Sequence, residues 1–122
     1  MPLAKNVMGA GISAGQARAL NGNTVNSAVS AAGTTQGTAT AITADVNNVT
    51  TATTGQGVIL YNGEIGDDQV VYNGTTTDIR VYPPTGGNVN QLAANSGFVL
   101  GVYTGVLCKK VTSTQWLGFI SA

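Results

Sequence analysis

The chain has 122 residues, 43% of them hydrophobic but only 8% charged, with five basic and five acidic side chains, no histidine and one cysteine. That length suits a single domain, and five scattered cations cannot form the basic stripe that phosphate neutralisation needs, which excludes a nucleic-acid partner. The lone cysteine excludes an internal disulfide, the missing histidine removes hydrolytic triads and most zinc sites, and no apolar run approaches the roughly 18 residues of a membrane span.

The first 54 residues are rich in small side chains. From Met1 to Thr54 there is no aromatic side chain, whereas Tyr61, Tyr72, Tyr82, Phe98, Tyr103, Trp116 and Phe119 all follow Gly55. Small residues alone bury too little area to offset their ordering entropy, so residues 1–35 read as an extended arm and residues 36–122 as the body. The opening "MPLAKNVMGAGISAG" lacks the apolar core of a secretion signal, which points to synthesis in the cytoplasm without export by the usual route. Its glycines form no phosphate cradle, since no strand precedes them and no Gly-Lys-Thr follows.

Val25, Ala28, Ala32, Thr35, Ala39, Ile42, Val46 and Val49 recur at spacings of three and four, the pattern of a helical seam. Gly33, Gly37 and the threonines oppose a helix there. The alternative is that "TATAIT" and "NNVTTAT" supply two β-strands.

Downstream, "GVILY", "QVVYN", "TDIRVY", "GFVLGVY", "GVLCKKV" and "TQWLGFI" are short β-type runs divided by turn residues. Asn62-Gly63 and Asn73-Gly74 offer the positive φ of hairpin turns, and Pro83-Pro84 must end a strand or lie on an edge. The fold class expected is all-β: a small antiparallel sandwich or jelly-roll-like barrel with an extended N-terminal arm.

Alternation then fails in a telling way. In "GFVLGVY" Phe98, Leu100 and Val102 oppose Val99 and Tyr103, and in "TQWLGFI" Trp116 and Ile120 oppose Leu117 and Phe119. Both faces are apolar, yet so small a body has little of its own chain with which to cover the second. A partner surface follows, with Tyr82, Pro83, Pro84, Val99, Tyr103, Leu117 and Phe119 as candidate subunit or partner-interface residues.

No constellation of residues carries chemistry. Asp45, Glu64, Asp67, Asp68 and Asp78 show no spacing that selects an acid and a base. "NGEIGDDQ" lacks the ligand spacing of calcium loops, and Cys108 sits in an apolar run as a structural thiol. Neither catalysis nor a cofactor or metal is expected.

"TATAITADVNNVTTATTGQGVIL", "VVYNGTTTDIRVYPPTGGNVNQLAANSGFVL" and the closing "STQWLGFISA" resemble small virion proteins of tailed bacteriophages over residues 36–122, most distinctively in "VYPPTGG", "LAAN" and "TQW". The resemblance implies a capsid decoration or cement protein on the outer surface of the head. It would be a homotrimer, with the phage major capsid protein as partner and the virion as its location. A head-fibre or tail-fibre module binding a host glycan through Trp116, Tyr82, Tyr61 or Tyr103 is the alternative.

Overall fold

The computed structural model describes residues 24–121. The described residues are all-β: β1 (Val25–Ser30), β2 (Thr40–Ala41), β3 (Val46–Thr51), β4 (Gly57–Ile59), β5 (Asp68–Asn73), β6 (Ile79–Tyr82), β7 (Asn88–Val89), β8 (Phe98–Leu100), β9 (Gly105–Lys110) and β10 (Gln115–Ile120). They form a larger sheet ordered β1-β3-β5-β9-β10-β7 and a smaller one ordered β2-β4-β6-β8.

The chain steps from one sheet to the other and back, so that successive rungs stack in parallel. Val25 lies beside Val46 and Val46 beside Val70 in the larger sheet, while Thr40 lies beside Val58 and Val58 beside Val81 in the smaller. Three parallel rungs therefore wind as a short solenoid. Antiparallel strands then close it: β8 on β6, β9 on β5, and β10 on β9.

β-Branched residues suit this stack: inward Val29 lies beside Val49 and Val58 beside Val81, while buried Asn73 and Asn47 stand beside Val49 and Val71. Val29, Val49 and Val71 supply the inner face of the larger sheet, Val58, Val81, Ile79 and Leu100 that of the smaller, and Val106, Cys108 and Trp116 plug the antiparallel end.

Each corner turns the backbone inward, and its polar groups must find partners there. Asn73, fully buried, is the bracket at one corner. Its Nδ2 donates to the Thr77 and Leu100 carbonyls at 2.9 and 3.0 Å, and its Oδ1 accepts from the Thr75 N–H and hydroxyl at 3.0 and 2.7 Å. Gln69 does the same work against Tyr61, donating to its carbonyl at 2.7 Å and accepting from its N–H at 3.1 Å. Asn47 donates to the Ala44 carbonyl at 2.8 Å while its Oδ1 stays buried without a partner. Neutral amides fill positions where a charge would demand far costlier desolvation, which explains a chain so polar and so weakly charged.

The pairing corrects the antiparallel jelly-roll expectation. Period-two alternation states which face a side chain takes, not which strand lies beside it, and here the sheets are mixed. Neither Asn-Gly pair makes a hairpin. Asn73-Gly74 is a corner between sheets: the Gly74 N–H donates to the Val49 carbonyl of the rung below at 2.9 Å, and a Cβ on Gly74 would lie only 3.0 Å from that oxygen. Asn62 and the Gly63 carbonyl instead receive the buried Lys110 ammonium at 2.7 and 2.6 Å. Positive φ occurs at other residues, Gly33, Gly55, Gly66, Gly86, Asn90, Asn95 and Tyr103.

The helical seam is absent from the described residues, where Val25, Val46 and Val49 lie in strands. Of the expected arm, residues 1–23 lie outside the described residues; Val25–Ser30 is β1, with Val29 in the core.

Candidate functional site

The outer face of the larger sheet carries the feature most in need of a function. Register places Val25 beside Val46, Val46 beside Val70, Val70 beside Leu107, and Leu107 beside Phe119. On β3, β5 and β9 their neighbours along the strand, Asn47, Gln69, Val71, Val106 and Cys108, are buried in the core, whereas at the two ends Asn26 and Ile120 are exposed as well. The result is one apolar ladder crossing five strands, exposed most at its ends, with Val25 at 67% and Phe119 at 57%.

Two flanking rows complete the face. On one side stand Asp68, Lys109 and Leu117, and on the other Asn48, Tyr72 and Gly105. Lys109 Nζ lies 3.1 Å from Asp68 Oδ1 and donates to the Gly66 carbonyl at 3.1 Å, so the face holds its charges as an internal pair. Such exposed pairs contribute little to stability.

Of the residues expected at a subunit contact, Leu117 and Phe119 stand on this face. Val99 is exposed on β8 in the other sheet, and exposed Tyr103 follows β8 in a turn with φ of 55°, so the four do not form one patch. Tyr82, Pro83 and Pro84 are buried inside the subunit. The Tyr82 hydroxyl donates to the Thr34 carbonyl at 3.2 Å, Gln36 Nε2 donates to the Pro83 carbonyl at 2.9 Å, and a Cβ on Gly97 would touch the Tyr82 ring at 2.7 Å. Val25, Val46, Val70 and Leu107, which share the face with Leu117 and Phe119, were not among the expected contact residues. Their signal, outward valines at matching places in successive rungs, becomes readable only once the parallel register is known.

The aromatic glycan candidates divide likewise. Trp116 is 1% exposed and Tyr82 is covered, while the Tyr61 hydroxyl donates to the Asp45 carboxylate. Burial first, then that hydrogen bond and the Asp45 charge, push the Tyr61 phenol well above its ordinary range. Tyr103 remains outward. A shallow groove of about 180 Å³ beside β6 is lined by Thr54, Gly55, Asp78, Ile79, Arg80 and Val99.

The titratable groups serve the fold. The Asp67 carboxylate accepts the Glu64 N–H at 2.8 Å, Asp45 accepts the Thr24 N–H at 3.1 Å, and burial pushes the Cys108 thiol up to about 12. Among the described residues no three His, Cys, Asp or Glu side chains gather as a metal site. Compared with family models, curated proteins and solved structures, the chain finds no match in any of the three.

Proposed function

We propose that this chain is a non-catalytic structural subunit of a phage virion, a capsid decoration protein that binds the outer head surface and stabilises the shell. The ladder of Val25, Val46, Val70, Leu107 and Phe119 supports the reading, because an exposed apolar row on a subunit this small calls for burial in a protein assembly. The phage-like words of the sequence supply the particle. Net charge of zero fits crowding on a lattice, where like-charged subunits would repel one another. Contacts that are weak singly become lasting when repeated over a shell.

Co-sedimentation of the labelled full-length protein with heads lacking it tests the reading. Saturable binding at a fixed ratio to capsid subunits, with heads that better resist heating, is the expected result; no binding to heads overturns it.

The fibre-module reading rests on Tyr103, whose exposed ring sits on a backbone conformation that non-glycine residues seldom adopt. Under it, Tyr103→Ala abolishes binding to host glycans and leaves head binding unchanged. Under the decoration reading no glycan is bound.

A further inference from the structure

We infer that the outer face of the larger sheet is a twofold self-association surface, its occupant a second copy of this chain with the symmetry axis running along the apolar ladder. The inference rests on the reading that this face is buried by protein, and it names which protein.

The argument comes from what stands on each side of the ladder. On β5, Asp68 and Tyr72 are two places either side of Val70; on β9, Lys109 and Gly105 are two places either side of Leu107. A twofold rotation about the ladder keeps every strand over its own copy and exchanges the two flanks. Each ladder side chain then meets its own counterpart, apolar on apolar. Asp68 falls opposite the partner's row at Tyr72, where a phenol O–H can donate to a carboxylate. Lys109 falls opposite Gly105, where no side chain stands in the way of its long stem.

The charges agree with this operation. The Asp68–Lys109 pairs of the two copies lie on opposite sides of the axis, so no like charges meet across the contact. A face laid on itself is an isologous contact, which a twofold generates and a threefold does not. Sheets packed in this way lie about 10 Å apart with strands within roughly 30° of alignment.

Size sets the strength. Five strands about 4.8 Å apart and three rows about 7 Å apart give a footprint on the order of 400 Å². That is ample for a functional patch but below the roughly 800 Å² per partner of a lasting pair. The dimer is therefore concentration-dependent when free, and stronger when a particle holds many copies together.

Sedimentation equilibrium on the full chain, from micromolar to near-millimolar, reads the pairing. A monomer–dimer equilibrium is expected, and Leu107→Lys, which sets two cations face to face on the axis, weakens it at least about tenfold. Unchanged Trp116 fluorescence verifies that this variant is folded. In a second measurement Leu107→Cys and Val99→Cys are treated with a short bis-maleimide, native Cys108 being buried. Linkage to a second copy through Leu107→Cys but not through Val99→Cys supports the axis. A monomer at every concentration, a trimer, or equal linkage of the two variants overturns it. Head binding is scored separately, so a monomer that still saturates heads ends the pairing and leaves the decoration reading standing.

Discussion

Asn73 shows how much of this fold one neutral side chain can hold. It satisfies two carbonyls and a backbone N–H at a buried corner. Asn73→Ala leaves these groups without partners and is expected to cost about 2–3 kcal/mol, read as a lower urea midpoint. Asn73→Asp is expected to cost more, because a carboxylate would face the Thr77 and Leu100 carbonyl oxygens with no donor between them. Cys108 sets a different test. Its thiol titrates near 9 in the unfolded chain and is pushed up to about 12 when folded. Above pH 9 the unfolded state therefore releases a proton that the folded state keeps, and stability falls as pH rises toward 12, by up to about 1.4 kcal/mol per pH unit. The stabilisation is complete below pH 9. In Cys108→Ala the decline begins only where the unfolded phenol of Tyr61 starts to ionise, which chemical denaturation across alkaline pH will resolve.

At the scale of elements, close approach decides what a position tolerates. Gly97 lets the chain pass over the Tyr82 ring, and Gly97→Ala places a Cβ 2.7 Å from it. A loss of about 1–3 kcal/mol is expected from thermal unfolding. β1 is tested by truncation: deleting residues 1–35 removes Val29 and Ala31 from the core, so the truncated body should unfold at lower urea than the full chain. The strands themselves were legible, since "TDIRVY", "GVLCKKV" and "TQWLGFI" contain β6, β9 and β10, and "QVVYN" covers all of β5 but Asp68. Their neighbours were not. Outward Val46 and inward Val49 fit a seam of three- and four-residue spacings as well as they fit a strand, and only burial separates the two. Asn73-Gly74 misled because the same dipeptide serves a hairpin or a corner, and the choice depends on the distant carbonyls of Val49 and Leu100.

For the whole molecule, the exposed apolar face was legible at one end alone. Leu117 and Phe119 announce themselves because a single strand carries apolar residues on both faces, whereas Val25, Val46 and Val70 join them through pairings between residues far apart in sequence. Tyr82, Pro83 and Pro84 had the composition of a contact site, but the segment carrying Thr34 and Gln36 covers them within the subunit. The winding has one more consequence. A stack of parallel rungs ends in a row of backbone donors and acceptors, an invitation to endless end-to-end growth. At β1, outermost among the described residues, register slips between Asn26 and Val29 and again before Ser30, and the Asn26 amide oxygen accepts the Ala28 N–H. A kinked strand makes a poor template for further pairing, so among the described residues the winding offers little for another molecule to extend at β1.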